Sequence, residues 1–296
     1  MSGIDFRAVR HQSADGLELF ARDYGPETGG GVPVLCLPGL TRNAKDFAGL
    51  AVRLAVERRV VCPDFRGRGL SQYAADPMTY WPNVEMADTL ALMDHLGIAR
   101  AAVIGTSRGG IVAMFMAAKA KERLAGIAFN DIGPRIGKAG FLRIRSYLGG
   151  DPRFVSWDEA VAALKATNPG FDSLSAIEWQ AFAQRVFRDE AGVPRADYDP
   201  ALTVTFPTTA DIEDGKVPEL WGLFDLVAPL PALVLRGANS DLLSEATVTE
   251  MRQHHAGLAT VTIPGRGHVP FLDETEAVAA IDAWLALVDE NEKGRN

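Results

Sequence analysis

Cysteine is scarce: the 296 residues hold two, Cys36 and Cys62. Two thiols cannot complete a four-ligand zinc site, and neither Cys-x-x-Cys nor His-x-x-x-His spacing occurs to help them. Each lies in an apolar run that reads as a buried strand, where a thiol acts as a small core residue and not as half of a disulfide. Long hydrophobic runs are also missing, and none reaches the roughly 18 residues that a membrane-spanning helix needs. The opening stretch, MSGIDFRAVR, carries charges and no apolar segment, unlike a secretory leader. A reduced, cytoplasmic setting is the expectation. Positive charge is in deficit, with 30 Lys and Arg against 38 Asp and Glu and a net charge of -8. Such a surface disfavours phosphate backbones, so no nucleic-acid partner is expected. There is no internal repeat. The glycine cluster at Gly29, Gly30 and Gly31 lacks the flanking strand and helix of a dinucleotide site.

Regular alternation is what the chain does have. DFRAVRHQ and LELFARDY flank the turn pair Asp15-Gly16 and predict a hairpin. Short apolar runs and helical segments then take turns: VPVLCLPG, AKDFAGLAVRLAV, RRVVCPDFRG, VEMADTLALMDHLG, AAVIGTS, GGIVAMFMAAKA and GIAFNDIGP. That grammar predicts parallel strands joined by helical crossovers, an α/β fold. The strand runs are apolar throughout, as when helices cover both faces of a sheet. After Pro134 the pattern breaks. Residues 135–225 contain no clear buried strand but several amphipathic helical stretches dense in aromatics, and the alternation resumes at PALVLRG. The spacing therefore predicts a core of residues 1–134 and 226–296 interrupted by a helical cap over residues 135–225. Such an insertion is expected to lie over the carboxyl edge of the sheet, where open α/β sheets bind ligands.

Gly105-Thr106-Ser107-Arg108-Gly109 is a G-x-S-x-G pattern, weak alone, but set between a strand-like run and a helix-like run. In that context Ser107 is a candidate nucleophile. Of five histidines, His268 lies in a glycine-rich loop after the last strand, at the carboxyl edge where its ring can take the serine proton. His11 belongs to the hairpin, His95 to a helix, and His254 and His255 to a helix end. The orienting acid has two candidates. Asp241 follows the strand PALVLR, and the order Ser107, Asp241, His268 suits a serine hydrolase, so it is preferred; Asp131, in FNDIGP, is the rival acid or a tie for the cap hinge. The side chain of Arg108 is expected to point away from the pocket into surface pairs, with recognition of a substrate carboxylate as the alternative.

With these residues in place, nearly the whole chain resembles the α/β-hydrolase superfamily. The match runs through Pro38-Gly39-Leu40, the loop from Asp64 to Ser71, the elbow from Gly105 to Gly109, and the Asp241 and His268 loops. The resemblance implies a mostly parallel eight-stranded sheet, and capped carboxylesterases and lactonases, including enol-lactonase-like enzymes, look most similar. It implies an oxyanion hole from the backbone amides of Leu40 and Arg108. One departure is that Pro38-Gly39 stands where many relatives carry His-Gly. Haloalkane dehalogenases and epoxide hydrolases of this fold have Asp at the position of Ser107, so an alkyl–enzyme route is disfavoured. The resemblance implies acyl transfer from a small-molecule ester, without metal or organic cofactor, by a monomer or homodimer. A lactonase, a carbon–carbon bond hydrolase and a ligand receptor that retains the fold are the alternatives.

Overall fold

The computed structural model describes residues 6–150, 152–171 and 173–295. Residues 1–5, half of the stretch read against a leader, lie outside these. The strands are β1 (Arg7–Gln12), β2 (Glu18–Tyr24), β3 (Val34–Leu37), β4 (Val60–Asp64), β5 (Ala101–Thr106), β6 (Leu124–Asn130), β7 (Phe187–Glu190), β8 (Val193–Ala196), β9 (Ala232–Gly237) and β10 (Ala259–Ile263). The helices are α1 (Ala48–Leu54), α2 (Pro82–His95), α3 (Arg108–Lys119), α4 (Lys138–Tyr147), α5 (Trp157–Thr167), α6 (Ala176–Val186), α7 (Thr209–Glu213), α8 (Trp221–Phe224), α9 (Glu245–His254) and α10 (Thr275–Lys293). Eight strands form one sheet in the order β1-β2-β4-β3-β5-β6-β9-β10. The predicted hairpin supplies β1 and β2, turning at Gly16 with φ 82°. β2 pairs antiparallel with β4, and every pairing from β4 to β10 is parallel.

The period-two alternation of a strand sends neighbours to opposite faces, and both faces are covered here. Leu35 and Leu37 of β3 pack with Val103, Phe129 and Val234 beneath α2, α3 and α9. Val34 and Cys36 of the same strand face the other way, with Cys62, Ile104 and Leu235, against α1 and α10. Both cysteines are free and buried. No helix among the described residues is long and apolar enough to cross a membrane.

Between β6 and β9 the chain leaves the sheet for residues 131–231. This segment carries α4 to α8, and its aromatics form a small core of their own, with Phe171, Trp179 and Phe182 at its centre. It also contains a hairpin where no strand was expected, with β7 antiparallel to β8. The turn residues Ala191 and Gly192 have φ 53° and 87°, the primed geometry that fits a two-residue hairpin. Arg188, Asp189 and Glu190 are exposed, so the strand carries no apolar run to read.

The segment is tied back to the loop after β4. Gly69 N donates to Asp197 O at 2.9 Å and Asp199 N to Gly67 O at 2.8 Å. Asp197 also accepts Asn43 Nδ2 and pairs with Lys45, each at 2.8 Å.

Candidate active site

Strand register builds the site. On the adjacent parallel strands β5 and β6, Thr106 lies opposite Asn130. The next residue on each strand, Ser107 and Asp131, turns away from the sheet with a positive φ, 50° and 54°. Non-glycine residues seldom accept this region unless their surroundings enforce it, and such strain gathers at functional sites. The glycines of the elbow are required by close approach. A Cβ on Gly109 would lie 2.1 Å from Leu37 O, and one on Gly105 would lie 2.5 Å from Gly110 N. Helix α3 starts directly at Arg108, so its N-terminus faces Ser107.

His268 arrives on the loop after β10. Its Nε2 is 3.0 Å from Ser107 Oγ, and its Nδ1 is 2.7 Å from Asp131 Oδ2. An ionised carboxylate only accepts hydrogen bonds, so Nδ1 carries the proton and Nε2 presents its lone pair to the serine hydroxyl. The loop is pinned by Asn130, whose Nδ2 donates to Thr106 Oγ1 at 3.1 Å and Pro270 O at 3.0 Å.

The acid beside His268 is thus Asp131, and Asp241 does not reach it. Asp131 is fully buried and fully engaged: Gly237 N donates to Oδ1 at 2.8 Å, and Ser240 Oγ donates to Oδ2 at 2.5 Å. Strand order alone does not choose between the two acids, since β6 adjoins the strand of the elbow and β9 adjoins β10, whose loop carries His268; what each carboxylate pairs with does. Asp241 lies four residues past the end of β9 and turns to Arg143 of α4, which donates to it at 2.6 and 2.8 Å. Burial opposes ionisation of Asp241, but the Arg143 guanidinium outweighs it and holds the carboxyl below its usual value. From that loop it is Ser240, not Asp241, that touches the acid–histidine pair.

Leu40 and Gly39 line the cavity beside Ser107. Where relatives of the resemblance carry a histidine, another group supports this loop: Arg68 Nε donates to Leu40 O at 2.8 Å. Arg68 is fully buried, 2.7 Å from the equally buried Glu85. Glu85 is also 2.6 Å from Arg108 Nε, and Arg108 donates to Tyr80 O. The Arg108 side chain does point away from the pocket, as expected, but into this buried network and not the surface. Burial opposes ionisation of Glu85, yet the two guanidiniums prevail and hold its carboxyl below the usual range. One carboxylate therefore ties together the two residues whose amides the resemblance named as oxyanion donors. No sequence spacing signals this, because Arg68 and Arg108 come to Glu85 from a loop and a helix that are separate in the chain.

Above Ser107 lies a cavity of about 560 Å³, within the usual range for small-molecule sites. Ser107, His268 and Leu40 form one wall, and residues of the inserted segment, including Tyr147, Phe154, Leu164 and Phe182, form much of the rest. Of the cap aromatics, Tyr147, Phe154, Phe182, Phe187 and Tyr198 line the cavity, whereas Trp179 packs inside the insertion, Phe171 packs there and on Phe271, and Phe141 packs against Phe206. Three guanidiniums line it as well: Arg42, Arg143 and Arg185. The other four histidines lie elsewhere. His11 stacks on His95, His254 meets Asp225, and His255 meets Leu230 O.

Residues 34–281 match the model of an alpha/beta hydrolase family. A 3-hydroxybutyrate-oligomer hydrolase of Cupriavidus necator is 33% identical over 254 residues, covering 83% of this chain and 86% of that protein. A 2-(acetamidomethylene)succinate hydrolase of Mesorhizobium japonicum is 24% identical over 273 residues, 89% of this chain and 90% of that one. Among solved structures, an alpha/beta hydrolase from Novosphingobium aromaticivorans superposes with TM-score 0.85 at 40% identity, covering 95% of this chain and 98% of that one.

Proposed function

The chain belongs to the alpha/beta hydrolase family, and from that premise we propose that it is a carboxylic-ester hydrolase working through a serine acyl-enzyme. The observation that carries this reading is the relay at the cavity floor: Ser107 Oγ 3.0 Å from His268 Nε2, with Nδ1 held at 2.7 Å by buried Asp131. His268 takes the proton of Ser107 as Oγ attacks the ester carbonyl. Asp131 fixes the ring tautomer and stabilises the imidazolium. The amides of Leu40 and Arg108 hold the oxyanion, aided by the N-terminus of α3. His268 then protonates the departing alkoxide, leaving an acyl ester on Ser107. Water attacks that ester, giving its proton to His268, and the acid departs as the proton returns to Ser107. The inserted segment of residues 135–225 acts as a lid that excludes bulk water and shapes the acyl site. An ester oligomer of a hydroxy acid, the class named for the Cupriavidus relative, is one candidate substrate.

Hydrolysis of p-nitrophenyl esters of graded chain length, beside a panel of lactones, tests the reading. Ser107→Ala is expected to abolish turnover. Undiminished activity in that variant refutes the nucleophile, and turnover of lactones alone refutes the open-chain ester.

A further inference from the structure

The three guanidiniums of the cavity are not equivalent. Arg42 Nε donates to Asp46 at 2.8 Å, and its second nitrogen reaches the other oxygen of the same carboxylate. Arg143 is satisfied by Asp241 and by Thr167 O. Arg185, in the last turn of α6, makes no hydrogen bond and no ion pair with any described residue. Its guanidinium is held by rings alone, 4.5 Å from the centroid of Phe271 and 5.9 Å from that of Phe182. Phe271 lies three residues after His268 and lines the same cavity. Stacking occupies the faces of a guanidinium and leaves its five in-plane N–H groups free to donate.

Arg185 is half-buried, and that burial lowers its pKa. The carboxylates that act on it from a distance, Asp46, Asp273 and Glu274, do not close on it. Asp46 is spent on Arg42. Glu274 accepts Arg266 Nε at 2.6 Å and the amides of Phe271 and Leu272, each at 2.9 Å. The N–H groups of Arg185 are not sealed in the core but belong to the cavity wall, where a ligand can supply acceptors for a charge-assisted pair. Among the described residues no carboxylate reaches Arg185 directly, so its guanidinium meets the cavity without a hydrogen-bonded counter-ion.

We propose that Arg185 is a carboxylate-binding residue, and that the substrate of the Ser107 site is an ester whose acyl part ends in a free carboxylate. This rests on the ester-hydrolase reading and narrows it. A planar carboxylate matches the guanidinium fork and cancels its single charge. A phosphate dianion would leave one negative charge among Phe182, Phe187 and Phe271.

The test compares p-nitrophenyl hydrogen glutarate with p-nitrophenyl valerate, acyl chains that differ by a terminal carboxylate in place of a methyl group. The wild-type chain is expected to prefer the glutarate ester in kcat/KM. In Arg185→Met the glutarate-to-valerate ratio should fall about 10- to 100-fold, the range for a charge-assisted pair, with Arg185→Lys in between. A ratio unchanged in Arg185→Met overturns the proposal, because a merely structural residue would depress both esters together. In parallel, glutarate and valerate are titrated calorimetrically into Ser107→Ala and into Ser107→Ala with Arg185→Met. Glutarate should bind the first at least about tenfold more tightly than the second. Equal binding, or none to either, overturns the carboxylate site. If neither ester turns over while glutarate binding still depends on Arg185, the ester reading fails and the anion site stands.

Discussion

Exchanging Asp131 for Asn keeps the shape of the acid and removes its charge. The carboxylate accepts three hydrogen bonds, from Gly237 N at 2.8 Å, Ser240 Oγ at 2.5 Å and His268 Nδ1 at 2.7 Å. In Asp131→Asn the amide oxygen can keep Gly237, so the NH2 must take the place of Oδ2. Ser240 adapts, since a hydroxyl can accept where it donated. His268 adapts only by giving up the proton on Nδ1. The ring proton then sits on Nε2, 3.0 Å from Ser107 Oγ, where a lone pair is needed. The expected loss in kcat is about 10⁴-fold, the size known for this tautomer error in serine proteases and equivalent to about 5.4 kcal/mol of barrier. Asp241→Asn should change kcat by less than about tenfold, because it breaks a partly exposed pair with Arg143 that touches neither His268 nor Ser107. Both variants are assayed on p-nitrophenyl butyrate, with circular dichroism and thermal unfolding to check the fold. A large loss in Asp241→Asn beside a near-normal Asp131→Asn refutes the reasoning and returns the acid to the loop after β9.

Two further outcomes concern buried charge. Glu85→Gln leaves Arg68 and Arg108 buried without their shared carboxylate, and should cost about 3–5 kcal/mol in urea unfolding; a loss under about 1 kcal/mol means that the network is not the anchor of the Leu40 loop. Burial pushes the Asp64 carboxyl from 3.8 up to about 6, against the amides of Leu70 and Ala44 that it accepts. A folded value above the unfolded one means that folding takes up a proton, so this contribution to stability is present below about pH 4 and lost as pH rises through about 6. Relative to wild type, Asp64→Asn should therefore gain about 2 kcal/mol between about pH 4 and pH 7, read from urea midpoints at each pH. A constant difference between the two proteins across that range refutes the assignment.

The strand and helix grammar was legible because each apolar run or amphipathic period is a local property of consecutive residues. It placed the hairpin, the parallel strands, the elbow around Ser107 and the loop of His268. The same locality hid the hairpin at residues 187–196, whose strands are short and largely exposed and offer no alternation to read. Its one strong cue was the pair Ala191-Gly192, and a single turn signal without flanking apolar strands carries little weight.

Ser107 and His268 could be named from the chain because motif and loop position confine each of them. The acid could not, because Asp131 and Asp241 both follow strands whose ends lie on one edge. Strand order does not separate them, since one follows the strand beside that of Ser107 and the other the strand beside that of the His268 loop; the contact of Asp131 with the ring and the pairing of Asp241 with Arg143, a residue of the insertion, do. Glu85 and Arg185 belong to the same category. Their roles come from what α2 and α6 bring against loops distant in sequence: a buried carboxylate shared by two arginines, and a guanidinium stacked on phenylalanine rings with no hydrogen-bond acceptor among the described residues. Local sequence determines which element a residue joins, since hydrogen bonding and side-chain periodicity act over a few residues. Whether a charge is paired, buried or free depends on which elements meet, and only tertiary packing decides that.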